Sequence, residues 1–493
     1  MDIKIALHSE TVSSYYAQTL CLLLFPRAKF PDVMPEDHNP RVDFFGDFVA
    51  DEYRAKVIIT TESGTFFGEF CAKKAEKLYM DNAAYAVGRA FCEAAEKCGM
   101  EKNAWGLLTG VRPAKPLLSA MLEGSYSDEI YERLIKDYLV SHDKARLCKR
   151  VAENECAVIK GIKSKLCSIY ISVPFCPTRC AYCSFVSYAL PNLMALIPEY
   201  VNHLCSDIER ISDEIKKLGL SVYSIYIGGG TPTTLDCEKL EMLLSTVSRC
   251  FDISSLAEFC VEAGRPDTVS REKFEILKKY GVGRISINPQ TLHDKTLEAI
   301  GRRHSVKEFF DAFLLAKEVG FDTINTDLII GLPGESSDEF LESVDGILAL
   351  SPENITVHTF CIKKSADLAQ KSDALCGDDI LLPQTEAFDK IMASGYEPYY
   401  MYRQKNAIKN LENVGFTKKG HDGVYNIIMM EELQSVIGIG AGASTRLVSK
   451  DGKTIARELA PKYPFEYKSF DIDKTVGFVK DFYENKYEAE EQK

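Results

Sequence analysis

Residues 168–183 read SIYISVPFCPTRCAYC. Four of the first six are β-branched or aromatic, a strand signature, and Pro174, which has no N–H to give a sheet ladder, closes it. A short loop follows that carries Cys176, Cys180 and Cys183 in C-x3-C-x2-C spacing. Working outward from this loop, further strand-like runs occur at 222–227 (VYSIYI), 258–262 (EFCVE), 284–287 (RISI), 323–330 (TINTDLII) and 355–360 (ITVHTF). Helical patterns at 199–218, 238–250, 271–280, 306–319 and 337–348 lie between them. Three of these helices close on KKLG, KKYG and KEVG, a last-turn lysine against the negative helix end and a glycine able to adopt the left-handed C′ conformation. Strand, helix, strand at this spacing predicts right-handed crossovers that build a parallel sheet of about six units, closed or partly closed as a barrel.

The flanks differ. Residues 56–70 (KVIITTESGTFFGEF) hold two strand runs meeting at Ser63-Gly64, a hairpin signal, and helical segments follow at 81–97 and 130–163. We therefore expect an α/β protein in three parts: an N-terminal α+β accessory domain at 1–165, a partial (βα)6 barrel at 166–366, and a C-terminal α+β extension at 367–493 that could cover substrate. In that extension short strands are expected at 425–430, next to a Gly-rich stretch at 438–443.

The chain has 493 residues, 46% of them hydrophobic, enough for two or three domains with sizeable cores. Its longest apolar runs, such as TLCLLLF at 19–25, fall short of the ~20 residues a membrane span needs, and no basic-then-apolar signal opens the sequence. A cytoplasmic protein without a membrane span is expected. With 59 Lys and Arg against 72 Asp and Glu, the formal charge is −13, which argues against broad nucleic-acid binding. Sixteen cysteines in a large reduced chain are not a disulfide framework; most stand singly in apolar contexts and read as small buried hydrophobes.

The trio is different. Three thiolates on one loop can hold three irons of a [4Fe-4S] cubane and leave the fourth iron open for a small ligand. Zinc is the other soft-metal reading, but the loop runs on as Ser184-Phe185-Val186 without a fourth Cys or His. Spacing alone leaves zinc and coincidence open. Location at the C-terminal end of a barrel strand, where parallel barrels place their chemistry, favours the cluster. The second strand ends in Gly228-Gly229-Gly230-Thr231-Pro232-Thr233, glycines that let backbone groups approach a ligand closely.

Together with IGRRH at 300–304 and INTDLIIGLPGE at 324–335, these motifs resemble the radical S-adenosylmethionine (SAM) superfamily, and more narrowly its oxygen-independent coproporphyrinogen III oxidase-like proteins. Similarity to the HemZ branch of that group is carried by 105–113 (WGLLTGVRP), 261–268 (VEAGRPDT) and 399–406 (YYMYRQKN). The resemblance implies Cys176, Cys180 and Cys183 as ligands of a [4Fe-4S] cluster whose open iron is chelated by the SAM amino and carboxylate groups. It places Tyr170 and Tyr182 beside cluster and SAM, and Gly229, Gly230 and Thr231 on the strand that receives the SAM amino group. Glu262, Gln290, Arg302 and Asp327 fall on SAM-contacting positions, and the segment around Cys361 on the adenine side.

The activity so implied is radical oxidative decarboxylation of coproporphyrinogen III propionates to the vinyl groups of protoporphyrinogen IX in anaerobic haem biosynthesis. It needs an external one-electron donor such as flavodoxin or ferredoxin. A monomer or weak dimer is expected. A tetracarboxylate substrate calls for a locally basic pocket, with Arg179, Arg303, Lys363, Lys364, Arg403 and Lys405 as candidates; Trp105 is expected to anchor the N-terminal domain. Two positions depart from the family pattern: Phe185 stands where a further Cys is usual, and Ser172 where a His is usual. Relatives lacking the extra Cys include haem-trafficking chaperones, so chaperone activity or another radical SAM modification of a tetrapyrrole are the alternative readings.

Overall fold

The computed structural model describes residues 2–25, 28–31, 34–35, 38–73, 80–162, 165–183, 191–361, 380–404 and 407–488. They divide into two compact units, one of 1–156 with 402–412, the other of 157–401 with 413–493.

The first unit holds a four-stranded sheet of β1 (Lys4–Leu7), β2 (Arg41–Val49), β3 (Glu52–Thr61) and β4 (Gly64–Lys73), in that order. β1 runs parallel to β2, and β2, β3 and β4 form an antiparallel meander. The predicted hairpin is there, with Thr61 opposite Gly64 across its tip. β3 alternates buried and exposed residues along much of its length, as a strand with one covered face must. The cover is the helix Asn82–Lys97, N-capped by Asp81 and burying Tyr85, Val87, Ala90, Phe91 and Ala94. Gly68 permits this approach: a Cβ there would lie 2.1 Å from the Ala90 carbonyl oxygen. Instead of one long helix at 130–163, two form, Asp128–Lys136 and His142–Ile159, parted by Leu139 in the left-handed region.

The second unit is built on one sheet, two of whose strands carry at one end residues of the first unit, 402–403 and 412. Its strands are β5 (Leu166–Val173), β6 (Ser221–Gly229), β7 (Glu258–Glu262), β8 (Arg284–Ser286), β9 (Thr323–Ile330), β10 (Asn354–Thr359), β11 (Glu397–Arg403), β12 (Glu412–Thr417), β13 (Ser435–Ile439), β14 (Ser444–Val448) and β15 (Ile455–Leu459). The order is β11-β12-β10-β9-β8-β7-β6-β5-β13-β14-β15. From β5 to β10 every neighbouring pair is parallel, the six expected strands in the expected sequence. Both faces are covered, so β5 and β9 read as nearly continuous buried runs instead of alternating. Helices Ile197–Lys217, Cys237–Cys250, Arg271–Lys279, Val306–Val319 and Ser337–Leu350 occupy the predicted places. Gly219, Gly281 and Gly320 close three of them with φ between +66° and +86°. Ser305 with Glu308 opens the helix that Gly320 closes, and Ser336 with Glu339 opens the next, both as capping boxes.

The C-terminal extension is where the expectations fail in detail. Residues 425–430 are not a strand but lie in the helix Val424–Glu431, which buries Tyr425, Ile427 and Ile428. The strand comes later: β13 adds a seventh parallel member beside β5, with Ser435 opposite Cys167 and Ile439 opposite Ile171. A short apolar run suits a buried helix as well as a strand, and periodicity could not separate them.

Candidate functional site

The cysteine loop is fixed by the strand ends around it. β5 leads into Phe175, whose carbonyl accepts from the Thr231 N–H at 2.7 Å, while the Gly230 N–H donates to Val173 O at 2.8 Å. This crossing explains the glycines. A Cβ on Gly230 would sit 2.5 Å from Phe175 O, and one on Gly229, at φ +106°, 2.8 Å from Ser172 Oγ. Further along the loop, Ala181 N–H donates to Ile300 O at 2.9 Å and Cys183 N–H to Cys180 O at 3.0 Å. Cys176 and Cys180 are buried and Cys183 is half-buried. Cys176 Sγ lies 3.4 Å from Thr231 Oγ1, and burial pushes its thiol up to about 11.

Tyr170 and Tyr182, expected near the cysteines, take different places. The Tyr182 ring meets Phe360 edge-on at 6.4 Å, beside the Arg302 guanidinium. Tyr170 joins a stack with Tyr226 and Tyr425, at 6.2 and 6.3 Å between centroids. Ser172, in the position that departs from the family pattern, donates to Ala441 O at 2.7 Å and so ties β5 to the Gly-rich loop after β13.

The remaining predicted residues come from successive strand ends. Glu262, at the end of β7, accepts from Tyr226 O–H at 2.5 Å and from the Gly229 N–H. Burial, reinforced by the charge of Asp327, raises its carboxyl to about 7 against these two donors. Asp327 accepts from Asn325 Nδ2 and Asn288 Nδ2, each at 2.7 Å, and lies 3.6 Å from His358 Nε2. Burial works against its ionisation, yet the His358 hydrogen bond and charge, the Asn325 amide and Arg302 hold it below the ordinary carboxylate value.

Gln290 adopts φ +70°, an uncommon conformation for a residue with a Cβ, braced by Gln290 N–H to Asp327 O and Ile329 N–H to Gln290 O. Its buried Oε1 has no hydrogen-bond partner, and neither has Asn288 Oδ1. Arg302 donates from Nη1 to Asn288 O at 2.6 Å and Gly264 O at 3.2 Å, and reaches Cys180 and Tyr182. The strand ends thus bring the cysteine loop, two carboxylates, two unpartnered amide oxygens and an arginine to one region of the sheet.

Sequence reasoning missed Arg265. Almost wholly buried, it forks onto Asp267 with both distances 3.1 Å, donates to Thr178 Oγ1 at 2.8 Å and Thr178 O at 3.2 Å, and points Nη1 at Cys180 Sγ from 3.7 Å. The Arg-Pro-Asp order at 265–267 was the available signal, since residues two apart across a tight turn suit a bidentate pair.

The substrate-side candidates scatter. Arg179 and Arg303 are exposed. Lys363, Lys364 and Lys405 lie outside the described residues. Arg403 is corrected to a structural role: it is buried in the first unit 5.3 Å over the ring of Trp105 and donates to the carbonyls of Leu108 and Asn410. Trp105 is fully buried, with Nε1 donating to Glu412 at 2.9 Å, as its anchoring role required.

Among the described residues no helix is long and apolar enough to cross a membrane, and no three His, Cys, Asp or Glu side chains converge as ligands of a single ion. A cubane makes no such demand, because each thiolate binds its own iron.

Comparison with known proteins agrees with this geometry. The model of the Radical SAM superfamily matches residues 170–347, from within β5 to within the helix after β9. The chain is 39% identical over 370 residues to the oxygen-independent coproporphyrinogen-III oxidase-like protein HemZ of Bacillus subtilis, covering 74% of each chain. It is 36% identical over 280 residues to the heme chaperone HemW of the same organism, covering 56% of this chain and 70% of that one. Coproporphyrinogen III oxidase (HemN) from Escherichia coli shares the fold, with a TM-score of 0.50 at 20% identity over 65% of this chain and 72% of that one. A cysteine loop leaving the first of six parallel strands, together with a HemZ relative matched over three quarters of both lengths, means that the chain belongs to the radical SAM superfamily and, within it, to the oxygen-independent coproporphyrinogen III oxidase-like proteins.

Proposed function

We propose that this protein is a radical SAM oxidative decarboxylase that converts propionate side chains of coproporphyrinogen III to vinyl groups. The observation that carries the reading is the HemZ relationship, at 39% identity over 74% of both chains. Family membership implies a [4Fe-4S] cluster and SAM, and the residues present fit them. Cys176, Cys180 and Cys183 supply three thiols from one loop, and the buried Gln290 Oε1 and Asn288 Oδ1 wait for a donor. When bound, cluster and SAM supply reductive generation of a radical able to take a hydrogen atom from an unactivated carbon.

The chain's own work is positional. Cys176, Cys180 and Cys183 hold the cluster. Gly229, Gly230 and Thr231 form the strand end that faces the SAM amino group. Arg302 offers charge to the SAM carboxylate, while Glu262, Gln290 and Asp327 offer oxygen acceptors to its ammonium and hydroxyl donors. Tyr170 and Tyr182 pack around them. Exposed Arg179 and Arg303 lie on the two loops joined by the Ala181 to Ile300 hydrogen bond and can meet substrate carboxylates. Loss of CO2 and one electron from the substrate radical completes the vinyl group, the electron passing to an external acceptor. A low-potential donor such as flavodoxin or ferredoxin supplies the electron that starts each cycle.

The test is anaerobic turnover of reconstituted protein with SAM, dithionite and coproporphyrinogen III. Vinyl-bearing product with stoichiometric 5′-deoxyadenosine supports the proposal. Stoichiometric haem binding without turnover overturns it in favour of a haem chaperone, the second reading, which rests on the 36% identity to HemW and on Phe185 and Ser172 at the two divergent positions.

A further inference from the structure

We propose that Arg265, clamped by Asp267, is a positioning residue that sets the reduction potential of the cluster through an N–H···S hydrogen bond to Cys180; this rests on the reading of the three cysteines as cluster ligands. Four observations carry it. Arg265 is only 3% exposed, so its charge is held in a poorly solvated place. Asp267 takes Nε and Nη2 in a bidentate pair at 3.1 Å, which fixes the plane of the guanidinium. The same group donates to Thr178 O and Oγ1, locking it to the loop that carries the cysteines. With these bonds made, Nη1 lies 3.7 Å from Cys180 Sγ.

Arginine suits this task and lysine does not. A planar fork can hold a carboxylate, a carbonyl and a sulfur at once, whereas an ammonium group is a point charge without that rigidity. Hydrogen bonds to cluster sulfurs and local net charge are among the terms that set a cluster's potential. When the oxidised cluster takes up one electron, negative charge on its thiolates grows, and a donor aimed at Cys180 stabilises that reduced state more than the oxidised one. Arg265 therefore makes reduction easier, and its loss makes the cluster harder to reduce. Arg302, which also reaches Cys180, has other ties, to the carbonyls of Asn288 and Gly264. Arg265 couples Cys180 to a carboxylate held in a bidentate clamp.

The experiment is an EPR-monitored redox titration of the reconstituted full-length protein without SAM, alongside iron and sulfide analysis. Arg265→Met is expected to load iron as the parent protein does. At a fixed applied potential it should hold about tenfold less reduced relative to oxidised cluster, which for a one-electron couple is a shift of about 59 mV to more negative potential. Arg265→Lys, which keeps the charge but loses the fork, should shift in the same direction by less. Full iron with an unchanged potential in Arg265→Met overturns the proposal and leaves Arg265 as loop packing. Should Arg265→Met fail to load, Arg265→Lys decides by the same reading: a negative shift supports the proposal and a parental potential overturns it. Failure of the underlying cysteine assignment would look different, as undiminished iron in Cys176→Ala.

Discussion

Each of the two units contains buried charge, and the two cases end differently. In the first, Glu412 is fully buried and completely engaged: Lys144 Nζ lies 2.5 Å from one oxygen, and Trp105 Nε1 donates to the other at 2.9 Å. Burial lowers the guanidinium of Arg403 to about 10, against the charge of Glu412, and it too has carbonyl partners. In the second, the strand ends leave Gln290 Oε1 and Asn288 Oδ1 buried without partners, hold Gln290 in a strained backbone conformation and raise Glu262 to about 7. Burial of charge alone is thus no sign of a site. These two networks differ in the acceptor capacity they leave unused, and an unpaired buried polar atom costs about 1–3 kcal/mol unless something fills it.

The sharpest break of this contrast is Cys176→Ala. It is expected to lose the cluster, and with it all detectable SAM cleavage, while unit stability measured by urea unfolding of the apoprotein changes little. Next is Glu412→Leu, which strands the Lys144 ammonium and the Trp105 N–H. We expect it to lower stability by about 3–5 kcal/mol in urea unfolding, with iron loading per folded molecule unchanged. If cluster loading fell instead, the separation of the two networks would be wrong.

A smaller effect is expected from Gly230→Ala. Its Cβ would press on the Phe175 backbone, at a cost of about 1–3 kcal/mol, and iron content after reconstitution should fall several-fold. The pH dependence of stability tests Glu262. Its folded-state carboxyl stands above its ordinary value, at about 7, so between roughly pH 4.5 and 7 the folded chain binds more protons than the unfolded one. Its contribution is therefore greatest below that window and fades as pH rises through it. Glu262→Gln, which mimics the protonated form, should reduce this decline by up to one proton in the pH dependence of the urea midpoint; an unchanged slope would remove Glu262 from the site's electrostatics. Smallest of all, Arg303→Ala should raise KM for coproporphyrinogen III a few-fold at unchanged kcat, as loss of a solvated substrate contact would.

The parallel strands and the cysteine loop were legible because their signals are local. The alternation of β-branched runs with helical periods, and glycines at 219, 281 and 320 closing helices with positive φ, are written in stretches of a few residues. Candidate positions at successive strand ends followed from the resemblance, laid on that frame. The C-terminal region was harder to read. Residues 424–431 satisfy helix and strand patterns alike, and the choice went to a helix that buries Tyr425 in a stack with Tyr170 and Tyr226, residues some 250 and 200 positions away.

Arg403 and Arg265 show the same limit with opposite outcomes. As letters in the chain both are arginines in motifs shared with relatives, and only the first drew notice as a substrate contact. Folding turned Arg403 toward Trp105 and backbone carbonyls, and turned Arg265 toward Cys180. By itself the sequence determined the order of the six parallel strands and the helices between them, and the loop that carries three thiols, since periodicity, caps and spacing act within a few residues. Which polar groups find partners was decided only in the tertiary structure, because a hydrogen bond depends on where distant strand ends meet.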